Sequence, residues 1–430
     1  MSASSGDPVV IVGGGLAGLA CARALAARGV PFTIVEASDR LGGRVRTDVV
    51  EGFLLDRGFQ VLLTAYPEAR AVLDYRALDL REFRAGALVR AEGRFWRVAD
   101  PWRDPGGALE SLRARVGSLG DKLRVERLRR RLRRTPLDAI LAREETTTRD
   151  ALRHSGFSEK IVERFFRPFL SGVFLERELA TSSAKFEFVM KMFAEGAAAL
   201  PARGMGAIPA QLGAALPKEA IRLGAAVRSA EGAVVTLASG ERLPARAIVL
   251  ATAERESRRL LGVAGGERPE NSATCFQYAA EKAPIDEPIL ALDGEGRGPV
   301  NDVCVPSVVA PSYAPPGAAL VSATVVGRSE GGEALERAVR DQLGAWFGEG
   351  VRGWRLLRAV AITRALPAEP PGSLAERRPP RVRPGLYVCG DHLDFASIQG
   401  ALASGRRAGE AVAEDLLLPL SGRRRWDAVA

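Results

Sequence analysis

The segment from residue 9 to residue 36 constrains the fold of this chain more than any other. It contains, in order, an apolar run, a turn with three glycines, an Ala/Leu-rich stretch, a second apolar run and an acidic residue: Val9–Val12, Gly13, Gly15, Gly18, Phe32–Val35 and Glu36. A glycine turn between a buried strand and a helix lets the backbone approach a diphosphate, which the helix N-terminus attracts. The segment therefore predicts a parallel α/β fold with an adenine dinucleotide site.

Each glycine of this turn has its own predicted task. Gly13 permits the tight turn, Gly15 lets N–H groups reach the diphosphate, and Gly18 lets the helix pack closely on the strand. Glu36 stands at about the 20-residue offset at which a carboxylate accepts hydrogen bonds from an adenosine ribose, and its charge disfavours NADP. The predicted adenine-side contacts are Gly13, Gly15, Leu16, Ala17, Gly18, Glu36 and Ala37.

A second glycine turn follows directly and distinguishes FAD from NAD. Arg40, Gly42, Gly43, Arg44 and Thr47 form a DRLGGRxxT stretch, whose guanidiniums can pair with a diphosphate or lie near a flavin ring. The stretch resembles the GGR motif of the flavin amine oxidase superfamily, which includes monoamine and polyamine oxidases, protoporphyrinogen oxidase and plant-type phytoene desaturases. The resemblance implies a GR2-type FAD site to which Arg40, Gly42, Gly43 and Arg44 contribute.

The end of the chain resembles the same superfamily. A short apolar run reaches Gly390 and Asp391, and Ser397-Ile398-Gln399-Gly400-Ala401 then begin an Ala/Gly-rich helix. The resemblance implies that Asp391 bonds the ribityl chain and that the helix start, Ser397, Ile398 and Ala401, faces the flavin pyrimidine. A helix N-terminus there stabilises negative charge on a reduced flavin. Cys389 precedes Gly390, outside the position used for covalent attachment, so we expect noncovalent FAD.

Further segments extend the resemblance to nearly the whole chain. Gly58, Phe59 and Gln60 match a strand-turn that passes the flavin, and Val227, Ala251 and Thr252 match strands on the adenine side. Leu200–Pro209 matches a PxxGMGxxP turn. We predict no strand before that turn and therefore no second nucleotide site. Gln60 and His392 are candidates for shaping or protonating the reaction site, although each has a structural interpretation as well.

The length and hydropathy of the chain allow two interleaved domains. It has 430 residues, of which 47% are hydrophobic. We predict an α/β architecture in which residues 1–75, 203–260 and 366–430 form a Rossmann-like FAD-binding domain. Residues 76–202, mainly helical, and 261–365 form an α+β substrate domain. We expect the tail around residues 421–425 to be disordered.

The second insert contains β-branched runs that predict strands at Val303–Val309 and Leu320–Val326, and an amphipathic helix at Glu333–Phe347. The first insert is rich in phenylalanine, which more often forms core than substrate pocket. Its eight rings are Phe157, Phe165, Phe166, Phe169, Phe174, Phe186, Phe188 and Phe193.

Composition excludes several other classes of protein. The chain has two histidines and four cysteines without CxxC spacing, so we expect no metal site, no disulfide framework and no Ser-His-Asp hydrolase. We expect reduced thiols and a cytoplasmic location. The sequence contains no uninterrupted run of 18 apolar residues, so we expect no transmembrane helix.

The net charge of +9 is concentrated in an arginine-rich segment, Arg113–Arg134. Val125, Leu128 and Leu132 recur at helical spacing within it. Two interpretations stay open: a solvated helix, or a basic amphipathic helix that contacts an anionic membrane peripherally. No aromatic stacking platform accompanies the charge, so we expect no nucleic-acid binding.

The resemblance implies an FAD-dependent oxidoreductase, and departures from amine oxidases narrow its substrate. The stretch Ala361–Pro367 lacks the aromatic ring that amine oxidases carry there. This favours dehydrogenation or desaturation of an apolar carotenoid-, terpenoid- or porphyrinogen-like molecule by hydride transfer to flavin N5. Because a second nucleotide fingerprint is missing, oxygen or a quinone is the expected electron acceptor. The alternatives are an amine oxidase that produces hydrogen peroxide and an FAD-dependent isomerase without net redox.

Overall fold

The fold is taken from a computed structural model that describes residues 6–327, 332–373 and 379–417; the predicted tail at 421–425 lies outside them. The helices are α1 (Leu16–Ala26), α2 (Pro67–Val72), α3 (Pro105–Arg113), α4 (Leu119–Arg134), α5 (Leu137–Leu141), α6 (Thr148–His154), α7 (Glu159–Ile161), α8 (Arg167–Phe174), α9 (Ser183–Glu195), α10 (Ala207–Ala214), α11 (Glu254–Leu261), α12 (Pro306–Val309), α13 (Glu333–Phe347) and α14 (Ile398–Leu417).

The strands are β1 (Val9–Val12), β2 (Phe32–Val35), β3 (Thr47–Val50), β4 (Phe53–Asp56), β5 (Leu62–Leu63), β6 (Leu80–Glu82), β7 (Gly86–Ala91), β8 (Arg94–Ala99), β9 (Ala198–Pro201), β10 (Ile221–Arg222), β11 (Val227–Glu231), β12 (Val234–Leu237), β13 (Arg242–Pro244), β14 (Ala247–Leu250), β15 (Glu270–Ala280), β16 (Leu290–Asp293), β17 (Asp302–Cys304), β18 (Ala319–Val326), β19 (Arg355–Pro367), β20 (Arg381–Arg383) and β21 (Leu386–Val388).

The chain divides into two compact units, each assembled from separate stretches of sequence. Unit 1 comprises the described residues of Met1–Gly43, Pro209–Glu267 and Arg377–Ala430, and unit 2 those of Arg44–Ile208 and Arg268–Glu376. The two units are defined by their internal contacts between residues and not by what they bind. The predicted assignment of FAD binding and substrate binding to separate stretches concerns roles, and it remains a prediction.

Unit 1 is built on a six-stranded sheet with the order β10-β2-β1-β14-β21-β20. Strand β1 pairs in parallel with β2 and β14, and only the edge strand β20 runs antiparallel to its neighbour. All residues of β1 and β14 are buried, as continuous apolar runs in a parallel sheet predict. The predicted α/β fold is therefore confirmed. A three-stranded antiparallel sheet, β11-β12-β13, completes unit 1.

Helices α1 and α14 pack on each other through glycines of α14. A Cβ atom at Gly405 would lie 2.1 Å from the Ala17 carbonyl oxygen, and one at Gly409 would lie 2.6 Å from that of Cys21. Because Gly405 meets Ala17 and Gly409 meets Cys21, the two helices run parallel. Their N-termini therefore point to the same side of unit 1.

Unit 2 contains a seven-stranded sheet with the order β19-β15-β18-β17-β16-β7-β8. One face is apolar, with Phe276, Val321 and Val303 packed near Val339 and Leu343 of α13. The predicted strand at 320–326 and the predicted helix at 333–347 are confirmed as β18 and α13.

The prediction of one strand over Val303–Val309 is wrong beyond residue 304. Pro306 stands in the first turn of the short helix α12, where its missing N–H costs nothing. The expected absence of a strand before the glycines of Leu200–Pro209 is also wrong, because β9 ends at Pro201. That strand belongs to the antiparallel sheet β5-β9-β6, and a Cβ atom at Gly204 would lie 2.4 Å from Thr47 Oγ1. The turn therefore serves packing.

The helical part of unit 2 buries most of the predicted phenylalanine stripe. Five of its rings are buried: Phe157, Phe166, Phe174, Phe186 and Phe188. Phe165, Phe169 and Phe193 are only partly buried. Phe165 stacks on Phe169 at 5.5 Å between ring centroids, and Phe169 lies 5.2 Å from Phe193. The stripe is thus mainly core, with a row of three partly exposed rings at its edge.

A buried ion pair joins the helices to the segment after β19. Lys185 Nζ of α9 lies 2.8 Å from Glu369 Oε2, and the two side chains are only 2% and 3% exposed. The Glu369 carbonyl also accepts a hydrogen bond from Ser182 N, at 2.8 Å. A charge buried to this degree needs its partner, because removing one member leaves an uncompensated ion.

We predict that Glu369→Gln lowers the free energy of unfolding by about 3–5 kcal/mol, since it removes the negative charge that lies 2.8 Å from the buried Lys185 ammonium. Urea denaturation of the FAD-loaded protein measures the change. Glu349→Gln is the matched control, because Glu349 pairs with Arg352 at the surface and such pairs contribute about 0–1 kcal/mol. Equal, small losses in both variants would contradict the prediction.

Candidate functional site

The turn between β1 and α1 is held by backbone contacts within unit 1. Gly13 has φ +110°, and its N–H donates to the Val35 carbonyl at 2.8 Å. A Cβ atom at Gly18 would lie 2.0 Å from the Gly13 carbonyl oxygen. Glycine is therefore required at position 13 by the backbone conformation of the turn and at position 18 by the close packing of α1, as the spacing predicts. Leu16 and Ala17 are buried in the first turn of α1.

Gly15 differs from its two neighbours in the motif. A Cβ atom there would meet no protein atom within 4 Å, and its φ of −73° suits any residue. No side chain of the described residues caps α1, and its first turn carries no acidic residue. The space in front of Gly15 therefore holds no atom of the described residues, which leaves room at this helix end for a diphosphate that the helix dipole favours.

The second glycine turn is anchored to the first. Gly42 N donates to the Gly14 carbonyl at 2.9 Å, and Gly15 and Gly42 form an isolated parallel bridge. Gly42 and Gly43 have φ values of +120° and +59°, which glycine adopts at little cost. The structure therefore brings the predicted residues Gly15, Gly42 and Gly43 together at the start of α1.

Glu36 is oriented toward the glycine turn by three donors. Its Oε2 accepts from Gly14 N at 2.6 Å, and its Oε1 accepts from Ser38 N and Ser38 Oγ at 2.9 Å and 2.8 Å. A carboxylate has about four acceptor positions, so capacity for a ribose hydroxyl is left at Oε2. Sequence reasoning found Glu36 but not the hydrogen bonds from Gly14 and Ser38 that position it.

The remaining adenine-side residues lie at strand ends and loops of unit 1. Ala251 follows β14, and its N–H donates to Val12 O at 2.8 Å. Thr252 Oγ1 lies 2.8 Å from Ser257 Oγ, and Val227 O accepts from Arg259 at 3.0 Å. Ala37 lies in the loop after Glu36. Arg40 pairs with Asp39 at 3.3 Å on the surface.

The predicted flavin end is built around the start of α14. Gly390 N donates to Ser404 Oγ at 3.1 Å, and Asp391 and His392 are buried in a 3-10 turn. Ser397 Oγ accepts from Gly400 N at 3.1 Å, which caps the helix. Ile398 begins α14, with Ala401 in its first turn.

The two helix starts are offset along a common direction. Gly405 is level with Ala17, so Leu16, the first residue of α1, is level with Ser404. Ser404 stands six residues after Ile398, and α14 therefore begins roughly 9 Å before α1. Two anion-favouring helix ends at this separation fit a cofactor with a diphosphate at one point and a flavin edge at another. The residues of unit 1 therefore fit FAD. That Gly15 and α1 hold its diphosphate, and that the start of α14 faces its flavin, stays a prediction.

The other predicted flavin contacts belong to unit 2. Arg44 Nη1 donates to the Ala365 carbonyl at 3.1 Å, and a Cβ atom at Gly58 would lie 2.6 Å from Ile362 Cδ1. Gln60 Nε2 donates to the Arg44 carbonyl at 3.0 Å, whereas Gln60 Oε1 is buried and accepts no hydrogen bond from the described residues. Phe59 packs edge-on against Phe83, with ring centroids 6.1 Å apart.

Sequence reasoning missed Asp56, the buried hub of this part of unit 2. Asp56 accepts hydrogen bonds from Tyr313 OH at 2.8 Å, from Met205 N at 3.0 Å and from Thr47 Oγ1. Burial raises the pKa of Asp56 to about 6, although these hydrogen bonds lower it. Gln277 Nε2 also donates to the Asp56 carbonyl, at 3.0 Å. Asp56 thus joins the turn before Gln60 to the glycine turn after β9.

A second buried carboxyl, also missed, lies on the sheet of unit 2. Asp302 Oδ2 accepts from Asn301 Nδ2 at 2.9 Å, and a Cβ atom at Gly172 of α8 would lie 3.1 Å from it. Burial raises the pKa of Asp302 to about 6, against the lowering effect of Asn301 and Thr324. Strand pairing places Asp302 opposite Thr324, next to Ser322 and Cys275, on the polar face of this sheet.

The profile of a known family covers nearly all of these elements. The profile of the flavin-containing amine oxidoreductases matches residues 16–413. The chain belongs to this family. Its cofactor is accordingly FAD, and it is a flavin-dependent oxidoreductase by family. No helix among the described residues is both long and apolar enough to cross a membrane.

Relatives within the family have several different activities. The chain is similar to protoporphyrinogen oxidase 2 of Arabidopsis thaliana, with 30% identity over 174 residues, 40% of this chain and 33% of that protein. It is also similar to polyamine oxidase 5 of rice, with 40% identity over 81 residues, 19% of this chain and 16% of that protein. The matches thus span a third or less of these relatives.

Solved structures share the fold over almost the full length. A structure from Exiguobacterium sp. 255-15, provisionally assigned as a protoporphyrinogen oxidase, has a TM-score of 0.72 at 19% identity, covering 96% of this chain and 99% of that one. Cyclohexylamine oxidase from Brevibacterium oxydans has a TM-score of 0.68 at 18% identity, covering 96% and 100%. At such identities the likeness establishes the fold and leaves the substrate open.

We predict that Gly15→Ala weakens FAD binding about tenfold or more while the apoprotein loses no more than about 1 kcal/mol of stability, the cost of replacing glycine by alanine at the N-cap of α1. The added methyl meets no protein atom but occupies the space in front of the α1 N-terminus. Flavin titration gives the dissociation constant, and thermal unfolding of the apoprotein gives stability. Gly18→Ala should instead unfold the protein. Gly344→Ala, which also meets nothing, should leave FAD affinity unchanged and raise stability by about 0.5–1 kcal/mol, because Gly344 lies inside helix α13. Unaltered FAD affinity in Gly15→Ala would refute the site.

We predict that Asp302→Asn removes a pH dependence of stability. The folded protein holds the Asp302 proton up to about pH 6, whereas an unfolded aspartate releases it near pH 4. The stability that protonated Asp302 contributes is fully present below about pH 4 and is lost as the pH rises through 6. Between pH 4 and pH 7 the free energy of unfolding of wild type should therefore fall by about 2–3 kcal/mol relative to that of the variant. Urea denaturation across this range measures it, with the exposed Asp341→Asn as control.

Proposed function

We propose that this protein is an FAD-dependent dehydrogenase or desaturase of an apolar small molecule of carotenoid, terpenoid or porphyrinogen type. The row formed by Phe165, Phe169 and Phe193 carries the proposal. These partly exposed rings are in contact, with Phe165 stacked on Phe169 and Phe193 tilted against Phe169, and they offer an apolar aromatic surface to a conjugated substrate. The similarity to a plant protoporphyrinogen oxidase supports it. The stretch of β19 over Ala361–Pro367, which carries no aromatic ring, supports it as well.

FAD, when bound, would take up the hydride that leaves the substrate C–H bond. The chain's own residues would orient the substrate, exclude water and handle the accompanying proton. We assign Gln60 and His392 to shaping or protonating the site, because each is polar and lies in a turn that the family resemblance places beside the flavin. We further propose that FAD is noncovalent and that oxygen or a quinone accepts the electrons.

An amine oxidase that releases hydrogen peroxide is the second candidate. Similarity to polyamine oxidase 5 of rice favours it. An isomerase without net redox is the third, and a fold shared with a reduced UDP-galactopyranose mutase, at a TM-score of 0.68 and 16% identity, is compatible with it. Polyene, porphyrinogen and amine substrates should distinguish the three.

We also propose a cytoplasmic location with a peripheral membrane contact through Arg113–Arg134. Four buried cysteines, none of them in a disulfide among the described residues, are compatible with a reducing compartment. A contact with the bilayer would give an apolar substrate a direct route to the enzyme.

The test is anaerobic bleaching of the bound flavin. We expect a polyene or porphyrinogen to bleach it and amines to leave it oxidised. Bleaching by amines alone, with hydrogen peroxide formed in air, would establish the amine oxidase instead. Anaerobic substrate conversion without bleaching and without an acceptor would establish the isomerase.

We predict that His392→Gln slows flavin reduction at least about tenfold, because a positioned proton-transfer group contributes 10² or more to a rate. The chain offers a matched control in its second histidine, His154, which is exposed at the end of α6. Stopped-flow absorbance with the best substrate gives the rate constants. A His392→Gln rate equal to that of His154→Gln would remove His392 from the proposed chemistry.

A further inference from the structure

A surface of unit 2 exposes more large apolar side chains than any other part of the described chain. Five of the eleven exposed large hydrophobic residues fall between residues 102 and 123: Trp102 (60% exposed), Leu109 (59%), Leu112 (55%), Leu119 (65%) and Leu123 (62%). We call these five the Trp–Leu surface. Exposed apolar groups concentrated in this way mark an interaction site, whereas isolated ones do not.

Helix α4 has two faces, and the Trp–Leu surface includes only the outer one. Leu128 and Leu132, the leucines whose spacing suggested an apolar face, are buried at 5% and 0% exposure. Leu119 and Leu123 lie on the opposite side of the helix, in line with Arg127, Arg130 and Arg134 at offsets of 8, 11 and 15 residues from Leu119. The outer face is therefore apolar in its first half and cationic in its second.

Contacts link the loop of Trp102 and the end of α3 to α4, the three elements that carry the exposed residues. Lys122 Nζ of α4 donates to the Leu112 carbonyl of α3 at 2.6 Å, which keeps the end of α3 beside the start of α4. Trp102 lies next to Arg130, whose guanidinium carbon is 5.9 Å from the indole ring centroid. Arg129 pairs with Asp100 at 3.5 Å and ties the loop that carries Trp102 to α4.

The patch is strongly basic. Residues 102–134 contain eleven Lys and Arg against four Asp and Glu, which accounts for most of the net charge of +9. Arg113, Arg127, Arg133 and Arg134 are exposed and form no ion pair within the described residues. Unpaired guanidiniums beside exposed leucines and a tryptophan complement a surface that is anionic outside and apolar below.

We propose that the Trp–Leu surface docks on an anionic lipid membrane, with its apolar side chains in the acyl boundary and the arginines of α4 at the headgroups. The inference gives the proposed membrane contact its residues and rests on that part of the proposed function. A second copy of the chain is disfavoured as the occupant, because two such patches would oppose their positive charges. Docking uses two helices and a loop, not a single helix lying in the interface.

The test is flotation of the FAD-loaded protein with lipid vesicles, without substrate. We expect binding to vesicles of phosphatidylcholine with phosphatidylglycerol, weaker binding as salt is raised, and little binding to phosphatidylcholine alone. Leu112→Ser with Leu123→Ser should lower the partition coefficient at least about tenfold. Arg127→Gln with Arg134→Gln should lower it about tenfold on anionic vesicles only.

Matched controls change exposed residues elsewhere. Leu223→Ser with Val382→Ser, and Arg242→Gln, should bind as wild type does, because these side chains are exposed but distant in sequence from the patch. All variants alter exposed positions, and an unchanged flavin spectrum confirms their folding. Equal binding of wild type to neutral and anionic vesicles, or unaltered binding of the Leu112→Ser, Leu123→Ser variant, would overturn the proposal.

Two further outcomes separate the alternatives. Wild type could self-associate in sedimentation and fail to bind vesicles, and the Leu112→Ser, Leu123→Ser variant could abolish that self-association. This result would assign the patch to a second copy and overturn the proposal. Flavin bleaching by substrate can be measured in detergent, without vesicles. Absence of bleaching would contradict the proposed oxidoreductase activity, while flotation would still report on the membrane contact.

Discussion

The close approach of backbone to backbone at glycines governs the assembly of unit 1. Gly18 leaves no room for a side chain against the Gly13 carbonyl, and Gly405 leaves none against Ala17. The first contact presses α1 onto the turn after β1, and the second presses α14 onto α1. Because both contacts involve main-chain atoms, neither can be relieved by a change of rotamer. The positions of the two helix N-termini, on which the predicted FAD site depends, follow from these contacts.

The parts of the fold that the sequence predicts well are those fixed by neighbouring residues. The runs at 9–12 and 32–35 and the helix at 333–347 have a clear period and clear ends, and the structure has them at these residues. Val303–Val309 shows where this fails. Its composition favours a strand, but Pro306 starts a helix, and a proline in a strand should have signalled the break. The short β9 gave no such local signal, because its pairing with β5 and β6 is non-local.

The same distinction applies to the site. Gly13, Gly15, Gly18 and Glu36 are recognisable by spacing, since one turn and one strand bring them together. Asp56 and Asp302 are not, because their significance comes from burial, and burial comes from partners far along the chain such as Tyr313 and Thr324. An aspartate at the edge of an apolar run is a usable signal for such residues: Asp56 ends the run Phe53–Leu55, and Asp302 stands directly before the run Val303–Val305. Polar residues at strand positions with buried neighbours are candidates for a buried hydrogen-bond network.

Helix α4 shows why periodicity alone could not assign its leucines. Two sets, Leu119 with Leu123 and Leu128 with Leu132, each repeat every four residues. The spacing that includes Val125 favours the second set as an apolar face, but it does not tell whether that face meets the core or a membrane. The capping box formed by Ser118 and Asp121 settles the question, because Ser158 also donates to Asp121 and so turns that side of the helix inward. Leu128 and Leu132 follow Asp121 onto the buried side, about 20° from it around the helix or less. The phase of the arginines, and hence the charge of the outer surface, is fixed by a buried acid at the start of the helix.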